Sequence, residues 1–128
     1  MVTGYQVIDD VLCNFGSDGI YRGVISSSGW HKYGSDWYYV QNGIAIRGDS
    51  EVKIGNAYYA FDYTGKMIAN EVYDGNYYDA SGKMVTAAGW RYVDNDWIYI
   101  GTDGYVIYKG ICKIGGVEYC FDNGVWVK

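Results

Sequence analysis

Along this chain, apolar and polar side chains alternate in short runs. Gly, Asn and Asp interrupt them roughly every 8–12 residues, the rhythm of many short strands joined by tight turns. Successive side chains of a strand point to opposite faces, so Trp37 and Tyr39 share a face, as do Trp97 and Tyr99. No stretch holds a sustained helical period with caps at its ends. The pattern predicts an all-β chain with essentially no helix.

The pattern also repeats. Gly29-Trp30 followed by Trp37-Tyr38-Tyr39 returns as Gly89-Trp90 followed by Trp97-Ile98-Tyr99. Lys53-Ile54-Gly55-Asn56-Ala57-Tyr58-Tyr59-Ala60-Phe61-Asp62 returns as Lys113-Ile114-Gly115-Gly116-Val117-Glu118-Tyr119-Cys120-Phe121-Asp122. A period of about 20 residues is the mark of stacked small units rather than of an enzyme core. Gly19, Gly43, Gly65, Gly82, Gly104 and Gly124 set the rhythm. They divide a single repeat domain, 1–128, into units 4–23, 24–48, 49–70, 71–89, 90–110 and 111–128. Each unit reads as a hairpin followed by a Gly-led linker. The inner turns are read as Gly34-Ser35-Asp36, Gly55-Asn56, Asp74-Gly75-Asn76, Asp94-Asn95-Asp96 and Gly115-Gly116, pairs and triplets able to reach positive φ. A lone hairpin is marginal in water, so about six hairpins are expected to stack into a solenoid in which each unit leans on its neighbours.

One position is constant across five units: Tyr39, Tyr59, Tyr78, Tyr99 and Tyr119. Packing between hairpins accounts for it in every unit. Beside a Trp pair, the same Tyr would also wall a pocket. Whether Trp30 joins Trp37 depends on the turn: an even loop puts both on one face, a three-residue loop puts them on opposite faces.

Composition narrows the chemistry. Among 128 residues there are 16 Tyr, 5 Trp, 19 Gly and no Pro. Aromatic residues with a polar tip suit half-exposed strand faces. The net charge of −5 is spread along the chain and no basic run occurs, which argues against a nucleic-acid partner. An acidic surface dense in aromatics attracts cations instead. No apolar stretch is long enough to span a membrane. Cys13, Cys112 and Cys120 lack metal-ligand spacing and read as small apolar strand residues. The single His31 has no catalytic set around it, and no phosphate loop or nucleophile motif is present. Asp36, Asp94 and Asp96 fall in turns, and Asp62 and Asp122 recur with the hairpins. No enzyme, cofactor or metal is expected. The opening Met1-Val2-Thr3-Gly4-Tyr5 has neither the basic start nor the apolar stretch of a signal peptide. The chain begins inside a repeat, so it is expected to be a piece of a longer protein whose targeting segment lies elsewhere.

Gly29-Trp30, then Trp37-Tyr38-Tyr39, and Gly82-Lys83-Met84 leading to Gly89-Trp90, resemble the choline-binding or cell-wall-binding repeats of Gram-positive surface proteins. Units without Trp, such as Asn56–Met67, are similar to repeats of glucan-binding proteins and of clostridial toxin receptor-binding tails. The resemblance covers nearly the whole chain, least clearly 1–23. It implies a hairpin solenoid that anchors a secreted or cell-surface protein to a polymer, with any catalytic domain elsewhere. It also implies ligand pockets made by two Trp of one repeat and a Tyr of the next, often with a Met nearby. Carried over, the main pocket would use Trp30, Trp37 and Tyr59 with Met67, and a second would use Trp90, Trp97 and Tyr119. Met67 finds no counterpart after Gly124, where Val125 and Trp126 stand.

A trimethylammonium group cannot donate hydrogen bonds and carries a diffuse charge. A box of π faces therefore suits it, at about 0.5–2 kcal/mol per well-placed ring. The partner expected is choline or a choline-bearing teichoic acid. A glucan or host glycan is the alternative, since exposed rings beside Asp and Asn serve sugars too. A third reading is a spacer or assembly element whose terminal segments, Gly4–Cys13 or Val125–Lys128, pair with a second copy.

The sixth hairpin yields a testable statement about its cysteines. With Gly115-Gly116 as a two-residue turn, Cys112 falls opposite Tyr119 and Cys120 opposite Ile111. The thiols then point to opposite faces, whereas a bridge needs Cβ atoms about 4 Å apart. Mass spectrometry of the peptide spanning both residues should show no gain of two hydrogens on reduction; such a gain would mean the turn is wrong.

Overall fold

The structure is a computed structural model that describes residues 2–128. Sixteen short strands account for its regular structure, and no helix occurs among the described residues. They pair as six small antiparallel sheets. The first holds β1 (Tyr5–Ile8), β2 (Val11–Asn14) and β3 (Val24–Ile25), and the second β4 (Gly29–Tyr33), β5 (Asp36–Gln41) and β6 (Ile44–Ala45). Next come β7 (Val52–Ile54) with β8 (Ala57–Tyr59), then β9 (Glu71–Tyr73), β10 (Asn76–Tyr78) and β11 (Met84–Val85). The last two sheets are β12 (Gly89–Val93) with β13 (Asp96–Ile100), and β14 (Gly110–Ile114), β15 (Val117–Asp122) and β16 (Val125–Val127).

Every hairpin acquires a third piece. Where a sheet has only two strands, an isolated bridge replaces it: Phe61 pairs with Met67, and Ile100 with Val106. The Gly-led linker of the sequence is thus the return strand of a three-strand meander. Its turn is braced by the side chain that opens it. Asp62 Oδ1 accepts the Thr64 N–H (2.9 Å), the Thr64 hydroxyl (2.6 Å) and the Lys66 N–H (3.1 Å). Asp79 accepts the same three kinds of donor from Ser81 and Lys83. This local bonding is why Asp is favoured there.

The inner turns correct the sequence reading in three places. Tyr33 pairs with Asp36, Tyr73 with Asn76 and Val93 with Asp96. Asp36, Asn76 and Asp96 are therefore strand residues, and the turns are the two-residue loops Gly34-Ser35, Asp74-Gly75 and Asp94-Asn95. The physical reason is twist. Two-residue turns with positive φ match the right-handed twist of the flanking strands. Asp94 and Asn95 sit at φ 51° and 67°, values these two residue types tolerate better than most. The glycine that precedes each Trp has a backbone reason too: Gly29 and Gly89 lie at φ 126° and 141°; an added Cβ would meet nothing within 4 Å at Gly29 and the Arg91 guanidinium at 3.1 Å at Gly89.

The chain forms two compact units. One runs through Val52 and includes Ala60–Ile68; the other holds Lys53–Tyr59 and Ala69–Lys128. In the first, Leu12, Tyr38, Val40 and Ala45 make a buried cluster, with Tyr5, Val7 and Ile25 packed against it. In the second, Tyr77, Val93, Ile98, Ile100 and Val106 do the same with Val72, Val85 and Val125. Main-chain bonds tie neighbouring meanders inside each unit. Ala45 N–H donates to the Asp10 carbonyl in the turn of the first hairpin (2.9 Å), and Val106 N–H donates to the Gly75 carbonyl (2.9 Å). The Arg47 guanidinium reinforces the first tie by reaching the Asp10 carboxylate at 2.7 Å.

Cys112 pairs with Tyr119 and Cys120 with Ile111, and all three cysteines are free thiols.

Tyr38 links this core to pH. Its ring is buried and its hydroxyl donates to the Tyr5 carbonyl at 3.4 Å. Burial, then the Asp36 and Asp62 carboxylates, push its phenol from 10.0 up to about 12. The folded value lies above the unfolded one. The stabilisation is therefore complete below about pH 10 and lost as pH rises through about 12. Urea midpoints followed by Trp emission should fall more steeply over that window in the wild type than in Tyr38→Phe. Equal slopes would mean Tyr38 ionises as freely as an exposed phenol.

Candidate functional site

The aromatic strand of each Trp-bearing hairpin has two working faces. Tyr38 and Val40 of β5 enter the core, while Trp37 and Tyr39 face away from it; Ile98 and Ile100 of β13 enter the core, while Trp97 and Tyr99 face away. The two-residue turn decides which side chains join the second face. Trp30 lies directly across from Tyr39, and Lys32 across from Trp37. Trp90 lies across from Tyr99, and Tyr92 across from Trp97. The question left open by the spacing is therefore answered: both Trp of each hairpin share one face.

In the first unit, the Trp30 and Trp37 rings meet edge to face, centroids 6.0 Å apart at 86°. Tyr39 packs on Trp30 at 5.0 Å and Phe61 at 5.8 Å. Met67 stands opposite Phe61, and its N–H donates to the Trp37 carbonyl at 2.9 Å, which fixes it beside the Trp pair. Tyr59, also expected here, closes β8 and belongs to the second unit.

The second unit holds a cluster of the same kind. Trp90 and Trp97 repeat the edge-to-face geometry at 6.3 Å and 86°. Tyr119 meets Trp90 at 5.0 Å, and Phe121 stacks on it at 5.9 Å. Trp126, absent from the sequence-derived set, packs on Trp90 at 5.8 Å and on Tyr119 at 5.5 Å. Trp90, Trp97, Tyr119 and Trp126 line an open cleft of about 270 Å³. Trp97 is 37% exposed, so its ring is half available to a ligand.

What hid Trp126 was residue type, since a Trp stands where the first unit has a Met. Phe61 pairs with Met67, six residues on, whereas Phe121 pairs with Trp126, five residues on. The return turn at Asn123-Gly124 is one residue shorter than the turn after Asp62, but the missing residue falls before the glycine, so Met67 and Trp126 each stand two residues after their turn glycine, Gly65 and Gly124. Met67 does have an equivalent, and it is Trp126. The usable signal was the shared distance of two residues from the turn glycine.

The remaining polar residues have structural employment. The His31 ring nitrogen Nε2 lies 2.8 Å from the Ser27 carbonyl, and Arg91, at the same place in the later hairpin, donates to the Ala87 carbonyl at 3.1 Å. Both brace the linker that enters a Trp hairpin. Among the described residues, no group of three or more His, Cys, Asp or Glu stands together as a metal site.

No protein-family model matches the chain. By sequence it is 37% identical over 93 residues to Glucosyltransferase-I of Streptococcus downei, a match covering 67% of this chain and 6% of that protein. By structure it is similar to choline binding protein F of Streptococcus pneumoniae, with a TM-score of 0.57 and 27% identity, over 100% of this chain and 41% of that one. That protein has also been solved in the presence of a peptidoglycan analogue and in complex with ipratropium. The modular autolysin LytC of Streptococcus pneumoniae, solved with a synthetic peptidoglycan ligand, shares the fold at a TM-score of 0.59 and 20% identity, over 98% of this chain and 33% of that one. The chain therefore spans less than half the length of each of these three proteins. In its all-β hairpin fold and its aromatic repeats, this chain resembles the choline-binding proteins, and in sequence it resembles a streptococcal glucosyltransferase as well.

Proposed function

We propose that this chain is a non-catalytic binding module that attaches a secreted or surface protein to a choline-decorated cell-wall polymer, such as a teichoic acid. The observation that carries the reading is the open cleft of Trp90, Trp97, Tyr119 and Trp126. Four converging π faces and little hydrogen-bonding capacity suit a trimethylammonium group better than any sugar hydroxyl. Trp30 and Trp37, with Phe61 and Met67, form a second cluster of the same design in the first unit. The likeness to choline binding protein F supports this reading. Catalysis, where the parent protein has any, belongs to another domain.

A second reading has its own support in the glucosyltransferase match. The Trp-poor hairpins expose aromatic rings beside polar side chains: a groove lined by Asn56, Ala57, Tyr58, Lys83, Met84 and Thr86 has the mixed character that sugars use. The two readings separate by ligand.

Choline should bind in the millimolar range, at about 4 kcal/mol, as expected of a few cation–π contacts. Tight attachment then requires several sites on one polymer. Titration followed by Trp emission should give a saturable change, and Trp97→Ala should remove the component from the second unit. Trp126→Ala should weaken that component and lower stability by about 2–3 kcal/mol, since the ring packs on Trp90 and Tyr119. Trp126→Met places there the side chain found in the first cluster and should cost less stability than Trp126→Ala, because the thioether fills part of the space and contacts the Trp90 ring. Emission unmoved by choline but shifted by an isomalto-oligosaccharide would replace this reading with the glycan one.

A further inference from the structure

The two Trp clusters share their aromatic geometry but not their charge. In the first, the residue directly across from Trp37 is Lys32, and its ammonium lies 5.4 Å from the ring centre. A second lysine stands at the same rim: Lys66, next to Met67, places its ammonium 3.6 Å from the carboxylate of Asp36, next to Trp37. In the second cluster, the place of Lys32 is taken by Tyr92, whose ring packs on Trp97 at 5.1 Å and 54°. The place of Lys66, the residue before the partner of Phe121, is taken by Val125. Asp96 keeps the place of Asp36. Lys128 lies 5.6 Å from the Trp126 ring centre, so the second cluster carries an ammonium on Trp126 but none opposite Trp97, the counterpart of Trp37. Arg91, between Trp90 and Tyr92, is held to the carbonyls of Trp90 and Ala87.

A ring has one reservoir of π density. An ammonium already within about 6 Å of its centre draws on that attraction and repels a second cation by direct charge. At the first cluster, the tethered cation is present in every molecule. At the second, the same position adds a ring and no charge, beside a retained carboxylate.

We propose that Lys32 sets ligand choice at the first cluster: it competes with a cationic ligand for Trp37. A quaternary ammonium is thereby directed to the Trp90, Trp97, Tyr119 and Trp126 cleft, while the Trp30–Trp37 cluster favours a neutral group of the same shape. This rests on the choline reading above, and it reverses the order expected from the sequence, in which the Trp30 pocket was the main one. The chain then offers a polymer two unlike sites, one for its cationic substituents and one for uncharged apolar or hydroxylated groups.

The test compares choline with its uncharged isostere 3,3-dimethylbutan-1-ol. Trp97→Ala isolates the first cluster and Trp37→Ala the second, both followed by Trp emission. The ratio of choline affinity to isostere affinity should be about twofold to fivefold higher at the second cluster. In the Trp97→Ala background, Lys32→Met keeps the length of the side chain and removes its charge. It should raise choline affinity by about the same factor and leave the isostere unchanged. The reciprocal Tyr92→Lys, in the Trp37→Ala background, should lower choline affinity alone. Both positions are exposed, so neither exchange disturbs the core, and the urea midpoint checks this. If Lys32→Met leaves choline affinity unchanged, or moves both ligands equally, the inference is overturned while the choline function stands. If choline binds in no variant and not in the wild type, the proposed function fails and this inference fails with it.

Discussion

The two-residue turn is the constraint on which the rest of this structure depends. Strand side chains alternate with a period of two, so one residue more or less in a loop moves every side chain of the returning strand to the other face. Gly34-Ser35 and Asp94-Asn95 place Tyr33 against Asp36 and Val93 against Asp96. All else in the Trp hairpins follows. Trp30, Trp37 and Tyr39 gather on one side while Tyr38 and Val40 enter the core on the other. A third loop residue would have split the Trp pair and sent half of it into the core.

Burial supplies the other half of the argument. A hairpin of five-residue strands cannot hide either face by itself. Each of the two compact units solves this by facing the apolar sides of successive meanders towards one another, with Leu12 against Val40 and Ala45, or Tyr77 against Ile100 and Val106. The polar main chain is handled in the same step, because the turn carbonyl of one hairpin accepts the N–H of the next return strand, as Asp10 does from Ala45 and Gly75 from Val106. Once one face is committed to the core, the opposite face is free to display aromatic rings. Core and site are thus the two sides of one strand, and the site's rigidity is inherited from the core behind it.

The two aromatic faces differ at their edges. The T-shaped Trp pair is nearly the same in both clusters, 6.0 and 6.3 Å at 86°. The differences lie at cross-strand and return-strand neighbours, Lys32 against Tyr92 and Met67 against Trp126. Lys32 and Tyr92 are exposed, so exchange at that position leaves the core undisturbed, whereas Met67 and Trp126 pack within their clusters.

The sequence by itself determined the class of structure and the membership of most of the site. Alternation, turn residues and the returning Gly-Trp and Trp-x-Tyr spacings are local properties of a strand and its turn, so they could be read without knowing what packs on what. For that reason the all-β hairpin repeats and the roles of Trp30, Trp37, Trp90, Trp97 and Tyr119 as neighbours of one another, or of a shared face, were legible, and so was the separation of Cys112 from Cys120. Three things were decided only by tertiary structure. The loops that read as three residues closed as two, because strand twist selects the turn. The linkers became third strands, because an unpaired strand edge finds a partner wherever the chain folds back. Pairing with Phe121 brought Trp126 into the aromatic cluster, at the place two residues after Gly124 that Met67 holds after Gly65. In a structure built on cross-strand pairs, the partner a residue faces is set by hydrogen-bond register, and register is a property of two segments that no single segment carries.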